Sequence, residues 1–468
     1  MRIWLGGLLA AALPLAAVSA EETGAKPGQG SVIFMHIDGA GMAHWQAARY
    51  LQAGPDGEIN WDRLPHLAVY RGHVEDTLTP SSNAAATVHA FGVKVPHASF
   101  GTDSSGKPPL APSGQRLSLM QEARARGIAV GVVNSGSAIE PGTACHLTSV
   151  HARKDEAEIV AQQLASGADV ILAGGEEWYL PEGVSGRHGE GRRKDGRNLV
   201  EEAVASGYRV VFTREELVAL PDDAGRVLGI FAHQDTFNDE PEHKLAVLDV
   251  PILREVTRAA LRILGGWRLL EHLLVAQAPP LYAPDAPTLA EMTRAALRFL
   301  GGRQFFLVVE EEGVDNFGNC NNAPGTMEAL RRGDEALGTA LEFIESHPET
   351  LLVTFGDSEA GNMDVIGLRG AKDEVWMLAA GRDENGAPVA GARNEAGGGV
   401  AQPFVSRPDR AGRSHRFVVS WGTRLDSSGG ILVRAAGLDA GRVAGTMDNT
   451  DFYPLFRETL FGENASGR

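Results

Sequence analysis

The chain has only two cysteines in 468 residues, Cys145 and Cys320, so no disulfide framework holds it together and at most one intrachain bridge can form. Basic charge is also short. The 43 Lys and Arg stand against 60 Asp and Glu, a net charge of −17. Duplex nucleic acid is bound through clustered Lys and Arg, so this balance argues against nucleic acid as a partner, while a small anion held by a local site stays open. Past the N-terminus no apolar run is long enough to cross a bilayer. Hydrophobic residues make up 43% of the chain, ample for a sizeable core.

The one long apolar stretch is terminal. Met1-Arg2, then Ile3 to Val18, then Val18-Ser19-Ala20 before Glu21-Glu22 reads as a charged start, an apolar segment and a small-residue cleavage site. Residues 1–20 are therefore expected to be a signal peptide and 21–30 a polar linker, giving a periplasmic or secreted protein with no membrane attachment after cleavage. Pro14 interrupts the run, which is short for a retained anchor.

Acid at the ends of strands organises the rest. Ser31 to Ile37 runs into Asp38-Gly39, Phe305 to Val309 into Glu310-Glu311-Glu312-Gly313-Val314-Asp315, and Leu351 to Phe355 into Gly356-Asp357-Ser358. Continuous apolar runs point to parallel strands covered on both faces, and ligands gather at the carboxyl ends of such strands. Each acid alone is as well explained as a helix cap. Three strand ends sharing the pattern favour convergence of Asp38, Glu310, Asp315 and Asp357 on divalent metal ions, which suit oxygen-rich clusters. His36 shares a strand face with Asp38; it reads either as a ligand or orienting group, or as a core histidine, the commoner case.

Elsewhere helix and strand patterns alternate: helices over 118–126, 155–166, 197–206 and 214–219, and strands over 129–134, 169–173 and 209–213. That pattern predicts an α/β fold with a doubly wound, mostly parallel sheet, expected to occupy 31–462 ahead of a tail at 463–468. A tandem repeat sets Glu255 to Gly266 against Glu291 to Gly302, so 244–279 reads as an inserted copy and 280–302 as the packed one. A second insertion, Gly-, Ala- and Arg-rich, covers 367–414, after which Phe417 to Trp421 and Ile431 to Ala436 are expected to return to the sheet and 451–461 to close the chain as a helix. Pro80-Ser81-Ser82 leads into an Ala-rich helix, where backbone N–H groups favour an anion, although either serine also suits an N-cap. Glu140-Pro141-Gly142-Thr143 and Arg153 offer a further carboxylate and an anion clamp.

Asp38-Gly39, Ser82 followed by Asn83-Ala84-Ala85-Ala86-Thr87 and Gly92-Val93-Lys94, Arg153, Phe305 to Glu310 with Asp315, and Thr354 to Asp357 together resemble the alkaline phosphatase family in order and spacing from about residue 31 to 462. The resemblance implies an α/β/α sandwich, a serine that is phosphorylated and then hydrolysed, an arginine on the phosphoryl oxygens, and zinc and magnesium ions. Carried residue by residue, it makes Ser82 the nucleophile and Arg153 the clamp. Asp38 falls on the carboxylate bridging magnesium and one zinc, Asp357 on that zinc, Glu310 and Glu140 on magnesium, and Asp315 on the other zinc. Where the family has zinc-binding histidines this chain has Asn319, Ser358 and, by a looser alignment, Ser427. A hydroxyl ligand is replaced by Gly142, with Thr143 next to it, and Asp426 offers a further carboxylate.

The expectation is a metal-dependent phosphomonoester hydrolase of small phosphate esters, with a homodimer allowed. Magnesium is expected, with calcium or manganese favoured over zinc at the two sites that lost histidines, Asn319 with Asp315 and Ser358 with Asp357, because hydroxyl, amide and carboxylate oxygens suit hard cations. The alternatives are a phosphodiesterase or sulfatase on the same scaffold, or a non-catalytic phosphate- or metal-binding homologue. The Cys/Ser-x-Pro-x-Arg signature of sulfatases does not occur around Ser82.

Overall fold

A computed structural model describes residues 30–238, 280–370, 389–390 and 403–462. The signal segment, nearly all of the linker, the 244–279 repeat copy, much of 367–414 and the tail lie outside the described residues.

In chain order the elements run β1 (Ser31–Ile37), α1 (Met42–Gln52), β2 (His66–Arg71), α2 (Ser82–Phe91), α3 (Leu119–Ala125), β3 (Ala129–Ser137), α4 (Pro141–Ala144), α5 (Glu156–Ser166) and β4 (Val170–Gly174). They continue with α6 (Leu199–Ala205), β5 (Tyr208–Val211), α7 (Arg214–Ala219), β6 (Arg226–Ile230), α8 (Leu289–Leu300), β7 (Phe305–Glu311), α9 (Gly313–Asn319), α10 (Ala323–Ser346) and β8 (Thr350–Phe355). Last come β9 (Met363–Gly367), β10 (Val389–Ala390), β11 (Phe404–Val405), β12 (Arg416–Trp421), β13 (Leu432–Gly437), β14 (Ala444–Asp448) and α11 (Phe452–Phe461).

Ten strands form one sheet in the order β14-β2-β13-β8-β1-β7-β3-β4-β6-β5. From β8 to β5 all neighbours are parallel; β13 runs antiparallel to both β8 and β2. The central strands β8, β1 and β7 are buried along their whole length, as strands covered on both faces must be. Alternation along β1 splits the core. Ile33, Met35 and Ile37 pack with α1, α8 and α10, while Val32 and Phe34 pack with α3 and α11 on the other face. The α/β/α sandwich expected from the sequence is therefore present. The second repeat copy is the packed helix α8, started by a capping box of Thr288 and Glu291.

One expectation needs correction. The strand at Phe417 to Trp421 does not return to the large sheet: as β12 it pairs antiparallel with β9, β10 and β11 in a separate four-stranded sheet. Its sequence is as apolar as a sheet-core strand because Phe417, Val419 and Trp421 pack into the α1 and α10 side of the core. Strands β2, β6 and β14 were not legible, since β2 and β14 lie at the sheet's margin with half their side chains exposed. Cys145 and Cys320 are both unbridged. Among the described residues no helix is long and apolar enough to cross a membrane.

Candidate active site

Parallel register builds the floor of the site. His36 of β1 lies opposite Glu310 of β7 and Phe355 of β8, so Asp38, Glu310 and Asp357 emerge from three adjacent strand ends, exposed by 0%, 0% and 2%. Gly39, at φ 72°, permits the close approach of the next acid: a Cβ there would lie 2.8 Å from Asp315 Cα. None of these acids caps a helix through its side chain. Both carboxylate oxygens of Asp38 and both of Asp357 lack a hydrogen-bond partner among the described residues, as does the buried Ser358 hydroxyl. Buried polar atoms are nearly always paired, so such a concentration of unpaired acceptors in one place calls for a cation.

His36 stands among them. Its Nδ1 lies 2.9 Å from Glu310 Oε1, and its Nε2 lies 3.7 Å from Asp357 Oδ1, too far for a hydrogen bond. Burial alone would lower its pKa, but the neighbouring Asp357 and Glu310 carboxylates outweigh that and raise it to about 9. Burial, together with Asp357, Asp315 and Glu312, pushes Asp38 well above the usual carboxylate range. Glu310 accepts a second hydrogen bond from Asn134 Nδ2, which also donates to Thr143 Oγ1 at 2.9 Å. Thr143 is thereby engaged with Asn134. Gly142 keeps this corner open, since a Cβ there would overlap Glu310 Oε1 and lie 2.5 Å from His36 Nδ1.

A second group lies beside the first. Glu140, at the start of α4, accepts from Arg153 Nη2 at 2.5 Å, and the Arg153 side chain is 46% exposed. Glu312, immediately after β7, is buried with Oε2 unpaired. A Cβ on Gly136 would lie 3.1 Å from the Cγ atoms of both Glu140 and Glu312, so the two carboxylates flank one glycine. Burial raises both acids, the Arg153 charge opposes it, and each is raised further by Glu310. Glu312 was not singled out from the sequence; its only signal was membership of the Glu310 to Glu312 run.

A third group gathers at the end of α9. Asn319 Nδ2 donates to Asp315 Oδ1 at 3.0 Å and to Asp426 Oδ1 at 2.8 Å, while Asn319 Oδ1 accepts from the Gly361 N–H at 3.0 Å. The backbone donor at Gly361 fixes which way the amide faces. Asp315 is pushed well up by burial and by Asp426. Ser427 does not join them: its hydroxyl donates to the Glu359 carbonyl at 3.2 Å, in a two-residue antiparallel bridge that holds Asp426 in place.

The two serines at the start of α2 have different environments. Ser81 is the N-cap: its Oγ accepts from Ala84 N at 3.2 Å and donates to the His97 carbonyl at 2.5 Å. Ser82 is the first helical residue, nearly buried, and its hydroxyl has no protein partner among the described residues. The helix is tied to the neighbouring acids through Cys145 at the end of α4, whose Sγ lies 3.7 Å from both Thr87 Oγ1 and the Asn83 carbonyl.

Beside the serine hydroxyl at a helix start, the Arg153–Glu140 pair and the buried acids at three parallel strand ends stands a match of residues 30–459 to the alkaline phosphatase family. The chain belongs to the alkaline phosphatase family. A repressible alkaline phosphatase of Saccharomyces cerevisiae is 27% identical over 353 residues, 71% of this chain and 55% of the yeast protein. The chain thus spans about half the length of that relative. Alkaline phosphatase 3 of Bacillus subtilis is 23% identical over 375 residues, covering 78% and 68% of the two chains. A streptomycin-6-phosphate phosphatase of Streptomyces griseus is 27% identical over 374 residues, covering 74% and 76%. The alkaline phosphatase of Thermus thermophilus superposes with a TM-score of 0.66 at 21% identity, covering 96% of both chains. That of the Antarctic bacterium TAB5 gives 0.64 at 17%, covering 93% and 99%. The fold is that of an alkaline phosphatase, and membership of the family implies divalent metal ions.

Proposed function

We propose that this alkaline phosphatase family member hydrolyses phosphomonoesters with divalent metal ions through a phosphoserine formed at Ser82. The observation that carries this reading is the set of unpaired, fully buried oxygens of Asp38, Asp357 and Ser358, a donor set with no purpose in a core and suited to a cation. Asp38, Asp357 and Ser358 would hold one ion, Asp315 and Asp426 another, and Glu140, Glu310 and Glu312 a third. A magnesium-bound variant of the TAB5 enzyme supports magnesium as one of them. Metal ions in such a site neutralise phosphoryl oxygens and lower the pKa of an oxygen nucleophile.

The chain's own residues do the rest. Ser82, its hydroxyl proton released to solvent, attacks phosphorus in line through Oγ as the ester P–O bond breaks, and the leaving alkoxide takes a proton from water. The N-terminus of α2 presents backbone N–H groups to the anion. Arg153, half-exposed and paired with Glu140, would turn its guanidinium from that carboxylate to two phosphoryl oxygens, a fork that matches them. Water then attacks phosphoserine, releasing phosphate and restoring Ser82. Asn319, with its oxygen accepting from Gly361 and its N–H groups donating to two carboxylates, positions Asp315 and Asp426 and keeps one oxygen lone pair for an ion. The signal-like N-terminus supports a periplasmic or secreted setting for the reaction.

The test is a panel of monoesters, diesters and sulfate esters assayed after chelation and re-addition of magnesium, manganese, calcium or zinc. Monoester turnover that depends on metal, with labelled phosphate trapped on Ser82, is expected. Turnover of diesters or sulfate esters alone, or label on another residue, would overturn the reading.

A further inference from the structure

We propose that His36 is a metal ligand, its Nε2 supplying from β1 the imidazole that the chain lacks at Ser358. The inference rests on the metal-dependent reading above and adds a nitrogen donor to a centre whose aligned residues offer only oxygen.

The tautomer follows from the partners. Glu310 Oε1, 2.9 Å from Nδ1, is an acceptor, so Nδ1 carries the hydrogen and the lone pair of the neutral ring is on Nε2. That Nε2 is fully buried with no hydrogen-bond partner, and it faces Asp357, whose two oxygens are also unpartnered, as are those of Asp38. In the metal-free protein a proton on Nε2 lies between this nitrogen and the acceptor oxygens, and a bound divalent cation would take the place of that proton. The spacing fits. Two donors at about 2.1 Å from one tetrahedral ion lie about 3.4 Å apart, close to the 3.7 Å between Nε2 and Asp357 Oδ1. A carboxylate holding the far nitrogen of a ligating imidazole is the usual support for such a ligand, and here Glu310 provides it.

Buried histidines elsewhere in the chain are different. His146 also has unpartnered nitrogens, but its ring packs against Phe34 and Phe306, where burial drops its pKa to about 3. Only His36 joins two acids in a group able to hold an ion, with Asp38 and Glu310, among the described residues. Gly142 completes the arrangement. Any side chain there would strike Glu310 Oε1 and the His36 ring, so an imidazole held at 36 by Glu310 requires glycine at 142.

Zinc alone, added to chelated full-length protein, is the probe. X-ray absorption at the zinc edge should show imidazole scattering at about 2.0–2.1 Å, absent in His36→Asn. Zinc affinity of His36→Asn should fall roughly 10- to 100-fold or more. The double variant His36→Asn/Ser358→His should regain both imidazole signal and part of the affinity, which a merely structural role for His36 would not produce. Zinc bound by wild-type protein with an all-oxygen shell would overturn the role of His36 and leave the metallohydrolase reading standing. Failure of the wild-type protein to bind zinc, magnesium or manganese at all would overturn both.

Discussion

At the scale of single residues, Ser81 and Ser82 are adjacent hydroxyls with separable work. Ser81 spends its oxygen on the Ala84 N–H and the His97 carbonyl, so Ser81→Ala should cost about 1 kcal/mol of stability as a lost cap and leave hydrolysis largely intact. Ser82 has no such bonds. Ser82→Ala should lower kcat at least about a thousandfold while metal content by elemental analysis stays at the wild-type level. Metal loss on Ser82→Ala, or equal activity losses in the two variants, would contradict this division. The acids at strand ends were legible because an apolar run that stops in Asp or Glu is visible without knowing any neighbour. Glu312 and the bridging role of Asn319 were not. Both depend on which loop faces which, and nothing in the sequence sets Gly361 against Asn319.

Elements decide what a residue can touch, and here the register of β1 against β7 matters most. His36 meets Glu310 because the two are cross-strand partners; a slip by one residue would turn His36 to the other face of the sheet. The sequence showed both strands and their acidic ends, but no pattern in either specifies that they are neighbours. The same limit explains β12, whose apolar run is like that of a central strand and whose pairing with β9 only the folded chain reveals. Helix α4 enters this corner through Gly142, the one residue that lets it approach the His36–Glu310 pair. Gly142→Ala should therefore destabilise the protein by about 1–3 kcal/mol as overpacking at a buried, backbone-fixed point, read as a lower urea midpoint with unchanged slope. Metal affinity should fall with it, because the added methyl displaces Glu310 or His36. A variant of wild-type stability and affinity would mean that the corner is looser than the contacts require.

For the whole molecule, the buried acids make metal binding and proton binding compete. Without metal, burial and mutual repulsion raise Asp38, Asp315 and Glu312 above the ordinary carboxylate range. The folded state then holds more protons than the unfolded chain above pH about 4, so this contribution to stability falls as pH rises through that window. His36 acts in the same direction: its raised pKa of about 9 contributes stability that is full below about 6.5 and lost as pH passes through its folded value. Burial lowers His44 and His146 to about 3, and they act oppositely, stabilising above about 6.5 and losing that contribution as pH falls towards their folded values. Their rings make no hydrogen bond to Asp38, Asp315 or Glu312, so their protons are not among those a metal ion displaces from these acids. A bound divalent cation displaces protons from the site acids. The stabilisation produced by saturating magnesium or manganese should therefore grow from pH 5 to pH 9, by about 1.4 kcal/mol per pH unit for each proton displaced. Paired thermal or urea melts with and without metal measure it directly. A metal-induced stabilisation that is flat across that range would place the ion away from Asp38, Asp315 and Glu312, because only groups that give up protons on binding can make the two equilibria depend on each other.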